Sequence, residues 1–127
     1  MNKEENKIKS FTDLYAWKEG HKLVMIMYEM TIKFPREEQF GLTSQMKRAS
    51  VSITSNLAEG FSRGSYPDKI RFYLIALGSL TEIQNQILIT KDLGFIDQKG
   101  SNDIANRTVT THKLINGLIK KSKTFSH

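Results

Sequence analysis

An all-α fold, an antiparallel four-helix bundle running up, down, up and down, is what this sequence predicts, and three observations carry the prediction. Four runs of apolar residues recur at the three- and four-residue steps of a helix. Proline or glycine closes the runs, so only short turns separate them. No stretch alternates polar and apolar residues as a half-buried strand would. The 127 residues suit a single domain that can bury a core without staples. Residues 1–10 read as a disordered arm, 11–123 as the bundle and 124–127 as a flexible tail.

The first helix is expected to start near Ser10 to Asp13, where Ser10, Thr12 and Asp13 offer capping oxygens. Leu14, Trp17, His21, Val24, Met25, Tyr28 and Ile32 form its expected core face. His21 then reads as a partly buried histidine with a satisfied hydrogen bond. Leu23, Ile26, Met27 and Met30 cluster on nearly the opposite side. A helix apolar on two sides has too much to hide in one small core, which points to these four as a subunit interface; the alternative is a helix sandwiched inside the monomer. Phe34-Pro35 stops the helix, because proline lacks a donor and drives its predecessor out of helical geometry.

The second helix lies within Leu42 to Gly64, with Met46, Ala49, Ile53, Leu57, Gly60 and Phe61 facing the core. Beside that face Gln45, Arg48, Ser52, Asn56, Glu59 and Arg63 make a polar stripe roughly 80° wide at about 100° per residue. Amides, a hydroxyl and opposite charges in register suggest a partner. Gly60 to Tyr66 fails as a phosphate loop, since it lacks both the Gly-Lys-Ser/Thr ending and a preceding strand.

Ser65 and Asp68 around Pro67 signal the start of the third helix, expected over Asp68 to about Leu93. It is apolar nearly all round and so calls for burial by several neighbours. Gly78-Ser79 in its middle costs helix propensity, for which close backbone packing would compensate. Glu82, the one acid along its central stretch, is expected to pair with Arg48. Gly94 ends this helix and Asp97 caps the fourth, whose weaker stripe is Ile104, Thr108, Thr111, Ile115, Leu118 and Ile119.

Net charge is +6, and it is uneven. Residues 1–41 and 64–96 are each neutral, whereas 42–63 carry +2 and 97–127 carry +4. A positive balance favours a polyanionic partner through counterion release. Chemistry is harder to find. Cysteine is absent, and the histidines His21, His112 and His127 lack carboxylates at metal-site spacing, so neither a metal nor another cofactor is expected. Ser52 and Ser55 have no histidine at helical spacing, and Glu59 with Glu82 is better explained as a charge network than as an acid-base pair. No enzyme is expected. The polar start shows no signal peptide and no apolar run reaches the ~20 residues of a membrane span, so a cytoplasmic protein without membrane contact is expected.

With these helices placed, a family pattern emerges. Leu14-x-x-Trp17, Phe34-Pro35 followed by Glu38, Gly41-Leu42-x-x-Gln45, Arg48-Ala49-x-x-Ser52-Ile53-x-x-Asn56-x-Ala58-Glu59-Gly60, Phe72 and Ala76-x-Gly78-Ser79-x-x-Glu82 follow one another in order. The pattern spans about residues 11 to 120. It resembles the bacterial four-helix-bundle family of ribosomal RNA intervening-sequence proteins, which includes the accessory variability determinant of diversity-generating retroelements. The resemblance implies a barrel-like homopentamer with a basic surface and, in the retroelement branch, binding of nucleic acid and of a reverse transcriptase.

The polar stripe has two readings. Gln45, Arg48, Ser52, Asn56 and Glu59 with Glu82 form a network that fixes register, or Arg48 and Arg63 reach phosphate. The first is preferred, because Glu59 and Glu82 would repel a phosphate. Lys47, Arg63, Lys113, Lys120, Lys121 and Lys123 are the expected contacts to RNA or DNA, reading backbone and shape rather than bases. The expected function is a non-enzymatic, oligomeric nucleic-acid-binding scaffold, with a purely protein-binding adaptor as the alternative.

Overall fold

The computed structural model describes residues 8–126 of the chain. A 3-10 turn at Phe11–Asp13 leads into α1 (Tyr15–Thr31), and a second at Arg36–Glu38 leads into α2 (Leu42–Ser62). After them come α3 (Tyr66–Asp92) and α4 (Gln98–Phe125). Among the described residues there is no strand.

Local chemistry sets the boundaries. Thr12 N donates to Ser10 Oγ at 3.1 Å, while the backbone N–H groups of Lys9 and Ser10 donate to Asp13 Oδ2 at 2.9 and 3.1 Å. Those two donors hold the Asp13 carboxyl below the usual carboxylate range, so the turn's support persists above that range and fades as pH falls through the lowered value. The expected arm is therefore tied down at Lys9 and Ser10; its residues 1–7 lie outside the described residues. Leu42 N donates to Glu38 Oε1 at 3.2 Å at the head of α2. Asp68 N donates to Ser65 Oγ at 3.3 Å, and Gly100 N to Asp97 Oδ1 at 2.7 Å. Gly94, at φ +79°, closes α3 in the left-handed conformation that favours glycine. α4 continues to Phe125, into the segment expected to be a tail.

Each helix packs mainly on its two sequence or chain-end neighbours, so α1 and α3 occupy opposite corners, as do α2 and α4. Leu23 and Met27 of α1, Met46, Ile53 and Leu57 of α2, Leu80 and Ile83 of α3, and Ile115 of α4 fill the centre with no exposed surface. Removing each such side chain from water stabilises the fold by about 1.5–3 kcal/mol before entropy is counted. The threonines of the core keep their hydroxyls satisfied within their own helices: Thr90 donates to the Ile87 carbonyl at 2.8 Å and Thr111 to that of Arg107 at 2.8 Å.

Leu14 and Trp17 pack on the core as expected, but beyond its first turn α1 is turned the other way round from the expectation. Leu23 and Met27, expected at a subunit interface, are fully buried in the monomer, and Ile26 and Met30 pack half-buried against the same core. Met25, Tyr28 and Ile32, expected inside, face solvent. Small residues explain the reversal. Ala16 and Gly20 lie on the buried face, and a Cβ on Gly20 would stand 3.2 Å from Thr54 Cγ2 of α2. Close helix approach thus selects the face carrying the small side chains, although the large ones dominate the apolar period. His21 is exposed rather than in the core, its ring stacked on Trp17 at 4.8 Å.

α3 differs as well. Its outer side leaves Leu74, Ile75, Leu88 and Ile89 exposed, and nothing stands within 4 Å of a Cβ placed on Gly78. The close packing expected around Gly78 is absent from the monomer. Among the described residues no helix is long and apolar enough to cross a membrane.

Candidate nucleic-acid interface

Because the helices alternate in direction, one end of the bundle joins the start of α1, the α2–α3 turn and the finish of α4. Lys9, Lys18, Arg63, Lys69, Arg71, Lys120, Lys121 and Lys123 fall at this end, against Asp13, Glu19, Glu59 and Asp68. The opposite end carries Glu29, Glu37, Glu38, Asp92, Asp97 and Asp103 against Lys33, Arg36, Lys47, Lys91 and Lys99. The bundle is thus basic at one end and close to neutral at the other, a polarity hidden by charge sums along the chain. At 1.5 Å per residue α3 is about 40 Å long, so Lys69 and Arg71 cannot be cancelled by Asp92 at its far end.

Local contacts hold the basic end in shape. Lys69 Nζ donates to the Phe61 carbonyl at 2.6 Å and to that of Gly60 at 3.4 Å, capping the last turn of α2; the partial burial that this requires lowers its pKa. The Arg63 guanidinium lies 4.5 Å from the Phe72 ring centroid and that of Arg71 lies 4.9 Å from it. Arg63 also donates to Glu59 Oε1 at 2.7 Å. Its Nε is shut off from solvent without an acceptor. Gly60 permits the close approach of α2 to α3 here, for a Cβ would meet the Tyr73 ring at 2.7 Å. Burial beneath this contact pushes the Tyr73 hydroxyl up to about 12. At the seam between α3 and α4 the Tyr66 and Phe125 rings stack at 5.4 Å.

Of the expected nucleic-acid contacts, Arg63, Lys120, Lys121 and Lys123 come together at this end. Lys113 lies earlier in α4, about two turns back from Lys120 towards the middle of the helix. Lys47 does not join them: it sits 16 residues before Arg63 in α2, about 24 Å along the axis, with its ammonium 4.8 Å from the Tyr28 ring of α1. Lys69, Arg71, Tyr66 and Phe125 were not singled out by sequence reasoning. A helical projection that joined the start of α3 to the end of α4 would have found them.

The polar stripe forms only in part. Ser52 Oγ and Ser79 Oγ are 2.8 Å apart across α2 and α3, and Asn56 Nδ2 donates to the Ser52 carbonyl at 2.8 Å and to its Oγ at 3.1 Å. Glu59 turns to Arg63 instead of joining them. Gln45, Arg48 and Glu82 are exposed, and among the described residues no ion pair links Arg48 to Glu82. The expected Arg48–Glu82 pair is thus corrected: Glu82 stays in water, so no desolvation demands a partner within the chain. Among the described residues no cluster of His, Asp and Glu fits a metal.

The family model described as 23S rRNA-intervening sequence protein matches residues 12–117, from the first 3-10 turn into α4. The chain belongs to this family. Gly60 and the Ser52–Ser79 contact show that part of the family-like pattern is spent on seating α3 against α2. A crystal structure from Bacteroides thetaiotaomicron, described as a protein with unknown function from the S23 ribosomal protein family, has the same fold. It is 20% identical, covers 83% of this chain and 95% of its own, and superposes with a TM-score of 0.76. Among curated proteins none matches.

Proposed function

We propose that this intervening-sequence family protein is a non-enzymatic, oligomeric scaffold that binds nucleic acid through its basic end. The observation that carries the reading is the gathering of Arg63, Arg71, Lys120, Lys121 and Lys123 at one end of the bundle while charges at the other nearly balance. Phosphate contacts by such residues release counterions and supply affinity without base readout. The family description, which refers to intervening sequences of 23S rRNA, favours structured RNA as the ligand.

Assembly is the second part of the proposal. A head-to-tail ring, such as the homopentamer implied by the family resemblance, needs two different faces on each protomer. Phe40, at 91% exposure, and the exposed Tyr28 share a cleft with Arg48 and mark one uncovered apolar patch. Ile75, Leu88 and Ile89 around Gly78 and Glu82 mark another on α3. These patches replace Leu23 and Met27 as the contact surface, and the opposite charges of Arg48 and Glu82 suit a pair formed between copies. A reverse transcriptase or another protein would bind surfaces that the ring leaves free.

Binding of structured RNA, single-stranded RNA and duplex DNA across a salt series, with particle mass measured in the same buffers, tests both parts. The expected outcome is a multimer whose affinity falls linearly on a log-log salt plot, with the slope counting phosphate contacts. An intact multimer that binds none of the three at low salt would leave the protein-binding adaptor as the function. A monomer under all conditions would remove the assembly part alone.

A further inference from the structure

The basic end carries a feature that phosphate binding does not need. A cavity of about 280 Å³ opens there, with Phe61, Tyr66, Tyr73 and Phe125 in its walls and Lys69 and Lys121 among them. Tyr66 and Phe125 stack on each other at 5.4 Å with a 30° tilt, yet stay 39% and 52% exposed. Aromatic rings left in water in the last turn of one helix and the first of another add little to the core. They present flat apolar surface beside cations.

From this arrangement we infer that the cavity receives unpaired nucleotides, with a base stacked on the exposed face of the Tyr66–Phe125 pair and its phosphate turned to the surrounding basic end. The inference rests on the nucleic-acid reading above and narrows it to single strands, loops and ends. Paired bases offer no free face to such a platform, since in a duplex both faces are already stacked, whereas every unpaired base has a π-face to place on an aromatic ring. Lys69 takes no part in holding phosphate, because its ammonium is committed to the Phe61 and Gly60 carbonyls. Its role is to shape the wall. The cavity's size, close to the small end of ligand pockets, suits one nucleotide rather than a helix.

The test uses the full-length protein and three probes: a 12-nucleotide single strand with a central 2-aminopurine, the same strand in a blunt duplex, and a hairpin with 2-aminopurine in its loop. The expected result is tighter binding of the single strand and the hairpin than of the duplex, with 2-aminopurine fluorescence quenched as it stacks. Phe125→Ala should weaken binding of both unpaired probes roughly five- to hundredfold and leave the duplex unchanged, and Phe125→Tyr should restore it. Phe125 is exposed in the last turn, so its truncation spares the fold, and a thermal melt checks this. Equal affinity for strand and duplex, or unchanged binding by Phe125→Ala, would overturn the stacking site while the phosphate-binding reading stands. Failure to bind all three probes at low salt would overturn both.

Discussion

At one end of the bundle α2 turns back into α3 across residues 63–65, with Gly60 pressed on Tyr73 and Lys69 closing the last turn of α2. At the other, α1 passes to α2 through a longer link, and Phe34 meets Phe95 at 5.4 Å with acids around them. Both ends seal the same core. The first stacks two exposed rings on each other beside a cluster of cations, and its close-packed turn holds those groups in place; the other has a cleft of its own, lined by Tyr28, Phe40, Lys47 and Arg48, with no such ring pair among its walls. The difference teaches that charge in this fold is organised by helix direction rather than by sequence segment.

The comparison breaks most decisively by charge reversal. Lys120→Glu, Lys121→Glu and Lys123→Glu together should weaken RNA binding at least a hundredfold at low salt and flatten its salt dependence, as measured by fluorescence anisotropy. Reversing Lys33, Lys91 and Lys99 at the opposite end should change affinity about threefold at most, through long-range field alone. Similar losses from the two triple variants would mean that the polarity of the bundle is irrelevant to binding.

Stability should separate the ends too. Tyr73 keeps its proton in the fold up to about 12, whereas the unfolded chain releases it near the ordinary tyrosine value of 10. Its contribution is fully present below pH 10 and is lost as pH rises towards 12, about 2–3 kcal/mol in all. Denaturant melts of Tyr73→Phe across this window should show a shallower decline than the wild type. Gly60→Ala should cost about 1–3 kcal/mol, since its Cβ would push the Tyr73 ring aside.

Gly78 sharpens the contrast from the other side of α3. In the monomer a Cβ there meets nothing, so Gly78→Ala should stabilise an isolated protomer by about 0.5–1 kcal/mol through helix propensity. If a second copy packs closely on this face, the same change should reduce the mass seen by sedimentation. Two glycines of one family-like pattern thus test different contacts, one within the chain and one between chains.

Much of the fold was legible before any coordinates. Pro35, Ser65, Gly94 and Asp97 mark helix ends through chemistry confined to a few neighbours, and the core of α2 follows its apolar period. α1 was read back to front, because Ala16 and Gly20 add nothing to an apolar period yet decide which face approaches α2. In the candidate site the cations of α4 were legible as a run. Lys69, Arg71, Tyr66 and Phe125 were not, since they meet only when the start of α3 lies beside the end of α4. That Lys47 lies apart from the other expected cations was not legible either, since a list of basic residues does not say which end of the bundle each occupies.

The most direct test of the central claim is amide hydrogen exchange of the assembled protein with and without a structured RNA hairpin. The account predicts added protection in residues 60–73 and 118–125, with residues 31–42 and 92–100 unchanged. Protection confined to the opposite end, or spread evenly over both, would contradict it.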